Sequence, residues 1–171
     1  MRFVNHLLRT STLFVSVKRG WRKLNRSPVC FGAKDNQFGS FYAGAGNLTA
    51  IKMVRLYGYV SCDVRHTHHW SYWGCGITIS DLGDHVNIVI TTTSNTMILP
   101  PNQFITGEET KWSKVPGYNS LSPELVLSVL KDPHLLSSRQ KLLLKYGEDM
   151  VGLSEEDNGG NVCCDVYALY A

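Results

Sequence analysis

The chain has 171 residues, of which 43% are hydrophobic and 11% aromatic, and its formal net charge is +3. This length suits one domain, and the apolar content can build a core, which excludes an intrinsically disordered chain. No apolar run is long enough for a transmembrane helix. Residues 1–34 carry eight of the 17 basic residues and no acid, so the remaining body is acidic and nucleic-acid binding is not expected.

Residues 1–27 are predicted to lie outside the fold, as a basic leader or a non-core extension. Three interpretations are open: a secretory signal, a mitochondrial presequence and an upstream extension. The apolar stretch Leu13–Val17 is short for a signal, whereas an Arg-rich head without acids is typical of a mitochondrial presequence. In each case residues 28–171 form the single, disulfide-stabilised domain.

The first half of this domain contains several strand patterns. Residues 31–46 combine glycine, serine and aromatic residues, as short strands and tight turns do. Residues 48–64 predict a long strand with apolar residues on both faces, which indicates burial on two sides. Val86–Thr93 is almost wholly β-branched and predicts a strand that pairs with Thr96–Leu99. Residues 102–121 are polar and predict a long surface loop.

The second half contains three more ordered segments. Ser122–Glu124 has the residues of a helix start, yet the largely apolar Leu125–Leu130 fits a short helix or a buried strand. Lys141–Tyr146 has the same ambiguity. Val162–Tyr170 predicts a closing strand. The whole pattern predicts a mainly β fold, an antiparallel β-sandwich or jelly-roll-like fold with at most one or two short helices.

Five cysteines are typical of an oxidising compartment, with two disulfides and one cysteine left over. Cys62 and Cys75 flank a loop and are expected to pair across it. Cys163 and Cys164 are adjacent on the closing strand, so they point to opposite faces. Cys163 is predicted to reach into the core and bond Cys30. Cys164 is predicted to face outward, as a free thiol or a covalent handle for a partner chain.

The loop between Cys62 and Cys75 contains His66, His68 and His69. Cysteine and histidine side chains can hold zinc at tetrahedral geometry. The spacing matches no common zinc site, so the disulfide is the favoured interpretation of this loop.

Aromatic residues in two loops predict a platform on which the apolar faces of sugars stack. The candidate ligand-binding residues are Trp70, Tyr72, Trp73, Trp112 and Tyr118. The alternative is that these rings pack in the core, because Trp and Tyr are mostly buried.

An acidic loop near the C-terminus is a candidate calcium site. Its metal-binding residues would be Glu155, Glu156, Asp157 and Asn158, because calcium takes six to eight oxygen ligands. The loop lacks the spacing of an EF-hand, so the alternative is a solvated turn. Calcium is the one cofactor that the sequence suggests.

Two further patterns bear on function. Asn47 begins an Asn-Leu-Thr acceptor sequon for N-glycosylation. The chain has no nucleophile elbow, P-loop, dinucleotide-binding or zinc-protease motif, so an enzyme is not expected.

These residues resemble a cysteine-containing domain of secreted proteins in cnidarians and other marine invertebrates. The resemblance covers residues 28–171. It is carried by Cys30–Asp35, Leu56–Cys62, Trp73–Cys75, Ser122–Leu127, Tyr146–Met150, Glu156–Gly160 and Val162–Ala168. It implies an extracellular module.

We therefore expect a secreted or cell-surface module that binds a glycan or a matrix protein, with calcium optional. A structural or adhesive protein that acts through protein contacts alone is the alternative function, and an enzyme is the third. A mitochondrial location is the alternative compartment.

Overall fold

A computed structural model describes residues 20–76, 82–151 and 155–171. These ranges form strands, in chain order β1 (Arg22–Lys23), β2 (Val29–Gly32), β3 (Gly39–Ala43), β4 (Gly46–Ser61), β5 (Trp70–Ser71), β6 (Ile88–Thr92), β7 (Met97–Leu99), β8 (Ile105–Gly107), β9 (Trp112–Ser113), β10 (Glu124–Ser128), β11 (His134–Leu136), β12 (Gln140–Tyr146) and β13 (Gly159–Tyr170). Helical structure in this part of the chain is limited to 3-10 turns at Thr67–His69, Asn102–Phe104 and Glu148–Met150. None of these turns is long or apolar enough to cross a membrane.

Two antiparallel sheets are built from these strands. The larger is centred on β4 and β13, which pair along most of their length; β5, β10 and β11 also pair with β4, and β1 and β2 with β13. The second sheet has the order β3-β12-β6-β7, and β8 and β9 form a separate pair. One buried cluster includes Ile51 and Val166 from the larger sheet together with Ile90 and Leu144 from the second. The predicted antiparallel β-sandwich is confirmed.

A bulge at Leu56 changes which residues of β4 face the core. The pairing with β13 skips Leu56, and the extra residue reverses the in-and-out alternation. Met53 before the bulge and Val60 after it are both fully buried, whereas Tyr57 and Tyr59 are 55% and 47% exposed. The prediction that this strand is buried on both faces is therefore wrong at its C-terminal end.

The structure decides two segments that the sequence left ambiguous and corrects a third. Glu124 does not begin a helix but the strand β10, because Leu125 and Leu127 alternate into the core while β4 pairs alongside. The ambiguous segment that ends at Tyr146 is the strand β12. Residues 102–121 are more than a surface loop, since they contain the β8-β9 pair with a buried Trp112.

The sheet begins before the predicted boundary at residue 28. Arg22 and Lys23 pair with β13, and the side chain of Asn25 accepts a hydrogen bond of 2.7 Å from the backbone of the same strand. These residues therefore belong to the larger sheet. The predicted leader falls mainly on residues 1–19, which lie outside the described residues, and its identity stays a prediction.

Candidate functional site

The 3-10 turn after β12 brings two carboxylates beside the acidic loop. Glu148, which is 7% exposed, accepts hydrogen bonds from Trp112 Nε1 (2.9 Å) and from Asn158 Nδ2 (3.1 Å). Burial raises the pKa of Glu148, and these two hydrogen bonds act in the opposite direction. Glu148 thereby ties the turn, the β9 tryptophan and the loop together.

Among the described residues, the side-chain oxygen of Asn158 has no hydrogen-bond partner. Asn158 is 3% exposed and its Nδ2 is committed to Glu148, while its Oδ1 has no hydrogen-bond partner among the described residues. The buried Oε2 of Glu155 also lacks a hydrogen-bond partner among the described residues. Leaving a buried polar group unpaired costs about 1–3 kcal/mol. Two unpaired oxygens in one loop are what a cation with oxygen ligands would satisfy.

A second pair of groups concentrates negative charge at this place. The carboxyl groups of Asp149 and Glu155 lie close together, and this interaction, followed by burial, raises the pKa of Glu155. Asp149 is 6% exposed and accepts the backbone N–H of Asn36 at 2.8 Å. A divalent cation between these carboxylates would relieve their repulsion.

The four predicted calcium ligands lie in two different environments. Glu155 and Asn158 face the buried cluster. Asp157 instead forms an ion pair of 2.8 Å with Arg65, and the side chain of Glu156 is exposed. Sequence reasoning left Glu148 and Asp149 out of this metal set. The sequence could have suggested these two residues as ligands, because both acids come just after the end of a strand.

The predicted aromatic platform is not formed as a unit. Trp73 is fully buried, stacks on Phe31 with ring centroids 6.4 Å apart and donates Nε1–H to the Ser122 carbonyl. Trp112 is 5% exposed and meets Tyr146 edge to face. Both indoles therefore belong to the interior, where they cannot stack on a ligand.

The other three rings are half-buried. Trp70 packs against Gly160, and the Tyr72 ring lies 4.1 Å from the guanidinium of Arg55. Tyr118 lines a surface pocket together with Phe104. The segments that carry Tyr72 and Tyr118 meet, since the Tyr72 N–H donates to the Ser120 carbonyl at 2.9 Å.

Other exposed rings line a groove on the outer face of the larger sheet. The groove has a volume of about 550 Å³, and it lies between Phe38 and Tyr57 over the Cys30–Cys163 disulfide. Phe38 and Tyr57 are 48% and 55% exposed. The amide of Asn161 donates to the Gln37 side chain at 3.1 Å in the wall of the groove. Flat rings beside amides are suited to sugars, which present apolar faces and hydroxyl groups.

The groove and the acidic cluster share one loop. Asn36 donates its backbone N–H to Asp149 of the cluster, and the next two residues, Gln37 and Phe38, line the groove. A ligand that reaches both places would contact this loop throughout.

Two disulfides are present, Cys62–Cys75 and Cys30–Cys163. The orientation at the adjacent pair is the reverse of the prediction. Cys164 is fully buried and its thiol faces the Val29 carbonyl, while burial raises its pKa to about 12. Cys164 is therefore not placed to act as a covalent handle, and the disulfide lies on the outer side.

Two remaining predictions concern the loop and the sequon. The sulfur atoms of Cys62 and Cys75 are bonded to each other, so the mixed cysteine–histidine zinc site is not formed. Asn47 is exposed on β4 and accessible for glycosylation, which stays a prediction.

No protein-family model matches the chain, and no curated protein matches it. Among solved structures, the chain is similar to AJLec from the sea anemone Anthopleura japonica, at 34% sequence identity and a TM-score of 0.81. The match covers 90% of this chain and 98% of AJLec. Sea anemones are cnidarians, which agrees with the resemblance found in the sequence. From this identity over nearly the full length of AJLec, we conclude that the chain belongs to the AJLec family.

Proposed function

We propose that the protein is an extracellular carbohydrate-binding module. The name AJLec denotes a lectin, and the relationship spans almost the whole of both chains. Two disulfides suit an extracellular location, because disulfides persist in oxidising compartments. A mitochondrial location has no support from these features. A binding module also agrees with the absence of a catalytic motif from the sequence.

Calcium binding at the acidic cluster is part of this proposal. The observation that carries it is the pair of buried, unpartnered oxygens, Asn158 Oδ1 and Glu155 Oε2, in the part of the chain that the structure describes. Asp149 adds a carboxylate beside them. Calcium needs more oxygen ligands than these three side chains offer. Water and sugar hydroxyl groups would supply the others.

The groove beside the cluster would hold the apolar face of a sugar. Tyr57 and Phe38 would stack on it, and Gln37 and Asn161 would hydrogen-bond to its hydroxyl groups. These residues replace the buried Trp73 and Trp112 as the stacking surface. Stacking on an aromatic ring is typically worth about 0.5–1.5 kcal/mol beyond the buried area.

A glycan array probed with the full chain tests this function. We expect binding in the presence of calcium and loss of binding in EDTA. Tyr57→Ala should weaken binding by about tenfold, the equivalent of roughly 1.4 kcal/mol. Tyr42→Ala is the matched control, because Tyr42 is 53% exposed on the second sheet, away from the groove.

Each outcome has a distinct meaning. If no glycan is bound, the protein is a structural or adhesive module that acts through protein contacts. If Tyr57→Ala binds normally, the groove is not the sugar site. A calcium site is rejected separately, if the melting temperature of the wild type is the same in EDTA and in millimolar calcium.

A further inference from the structure

The loop closed by the Cys62–Cys75 disulfide gathers three histidines. The ring centroids lie 4.5 Å apart for His68 and His69, 4.8 Å for His66 and His69, and 5.6 Å for His66 and His68. An imidazole nitrogen binds zinc at about 2.1 Å, so three imidazoles on one ion have centroids roughly 4.5–5.2 Å apart. Two of the three centroid distances fall within this range and the third lies just beyond it, so the rings can reach one ion after rotating about their side-chain bonds.

The surroundings of two rings leave one nitrogen of each available. His66 Nε2 faces Asp63 Oδ2 at 3.6 Å, so its Nδ1 is the nitrogen left for a metal. His69 Nδ1 lies 3.9 Å from Cys62 Sγ, so its Nε2 is left. A carboxylate behind a histidine is typical of metal sites, because it orients the ring and makes the other nitrogen more basic.

The backbone that carries the rings is fixed. His69 donates its N–H to the His66 carbonyl at 3.1 Å, and Gly76 donates its N–H to the His69 carbonyl at 2.9 Å. A Cβ atom at Gly76 would collide with the His68 carbonyl, so the backbone approach requires glycine. The rings of His66 and His68 are exposed, so they can turn toward a common ion without leaving a packed interior.

The local charge is compatible with a bound cation. Arg65 is the nearby cation in this loop. It is paired with Asp63 at 2.7 Å and with Asp157 at 2.8 Å, so two carboxylates outweigh its charge.

We propose that His66, His68 and His69 bind a divalent transition-metal ion, with Zn²⁺ as the first candidate. A water molecule would occupy the fourth position. The nitrogen ligands select this class of metal, whereas the oxygen ligands of the acidic cluster select calcium. The two sites are therefore chemically independent.

Metal titration of the full chain, first stripped with EDTA and kept free of reductant, tests this site. We expect one Zn²⁺ per chain by calorimetry and a visible absorption band for bound Co²⁺ that Zn²⁺ displaces. The double variant His66→Gln/His68→Gln should weaken Zn²⁺ binding at least about 100-fold and abolish the Co²⁺ band, since it removes two ligands. His134→Gln, a histidine on β11, is the matched control and should bind as the wild type does.

Several results would overturn the proposal. One is a wild type that binds neither ion, and another is a double variant that binds both ions normally. Binding that begins only after a reductant is added would assign the metal to the freed thiolates instead. An unchanged melting temperature of the double variant establishes that lost binding is not lost folding. Asp149→Asn should retain the zinc site, which separates failure here from failure of the proposed calcium site.

Discussion

At the residue scale, the orientation of one amide shapes the acidic cluster. Glu148 accepts the Asn158 Nδ2 donor, so the amide oxygen is held on the other side, where the structure gives it no partner among the described residues. Trp112 donates to the same carboxylate and fixes it in turn. The buried glutamate thus supports the proposed cation site without contacting the cation itself.

Glu155 gives the cluster a predicted pH dependence. Contact with Asp149 and burial raise the pKa of Glu155 above its ordinary 4.5, so the folded state holds this proton more tightly than the unfolded state. Its contribution to stability is full below that ordinary value and is lost as the pH rises through the raised pKa. In EDTA, we expect Glu155→Gln to gain melting temperature relative to the wild type between pH 4.5 and pH 7.

Thermal melts of both proteins across this pH range check the prediction. Calcium should reverse the order at pH 7, because the glutamine variant loses a ligand. A difference in melting temperature that stays constant with pH would show that Glu155 titrates normally.

Residue types alone could not assign the aromatic rings. Trp70, Tyr72, Trp73 and Trp112 look alike as a sequence pattern, yet two of them are buried and two are half-exposed. The difference arises from partners distant in the chain, such as Glu148 for Trp112. Tyr57 was recognised as a strand residue, but its exposure depends on a bulge that the sequence does not reveal.

At the element scale, the β4-β13 pair depends on close backbone approach. Gly58 has φ +87°, and a Cβ atom there would collide with the backbone carbonyl of Asn161. Gly117 has a similar φ of +82° but nothing within 4 Å, so it makes a matched control.

We expect Gly58→Ala to lower the free energy of unfolding by more than about 3 kcal/mol, because it adds a backbone collision to the torsional strain. Gly117→Ala should cost only the strain, about 1–2 kcal/mol. Urea unfolding of the two variants measures both values. Equal losses would mean that β4 and β13 separate at Gly58 without penalty.

Strands were predicted well where β-branched residues dominate, as in β6. The sequence left β10 ambiguous between a short helix and a strand, because Ser122 and Pro123 suggest a helix start. Pairing with β4 and the burial of Leu125 and Leu127 outweigh that local preference. Tertiary contacts of this kind cannot be deduced from a six-residue segment.

At the scale of the whole molecule, the two disulfides close loops of very different length. Cys30 and Cys163 are 133 residues apart in the chain, and Cys62 and Cys75 only 13. The entropy that a cross-link removes from the unfolded state grows with loop length. The longer link should therefore contribute more to global stability.

We expect Cys30→Ala/Cys163→Ala to lower the free energy of unfolding by about 5 kcal/mol and Cys62→Ala/Cys75→Ala by about 3 kcal/mol. Denaturant unfolding of each double variant gives the two values. The reverse order would indicate that native contacts of the short loop, and not chain entropy, dominate.

The bulge at Leu56 determines which side chains of β4 are exposed to line the groove. The inserted residue reverses which positions of β4 face the core. The same alternation of rings and small residues therefore contributes to the core before the bulge and to the exposed surface after it. Deleting Leu56 would turn Tyr57 and Tyr59 toward the core without altering either side chain. Relatives that differ by a single residue at this position would share the sandwich and present a different face.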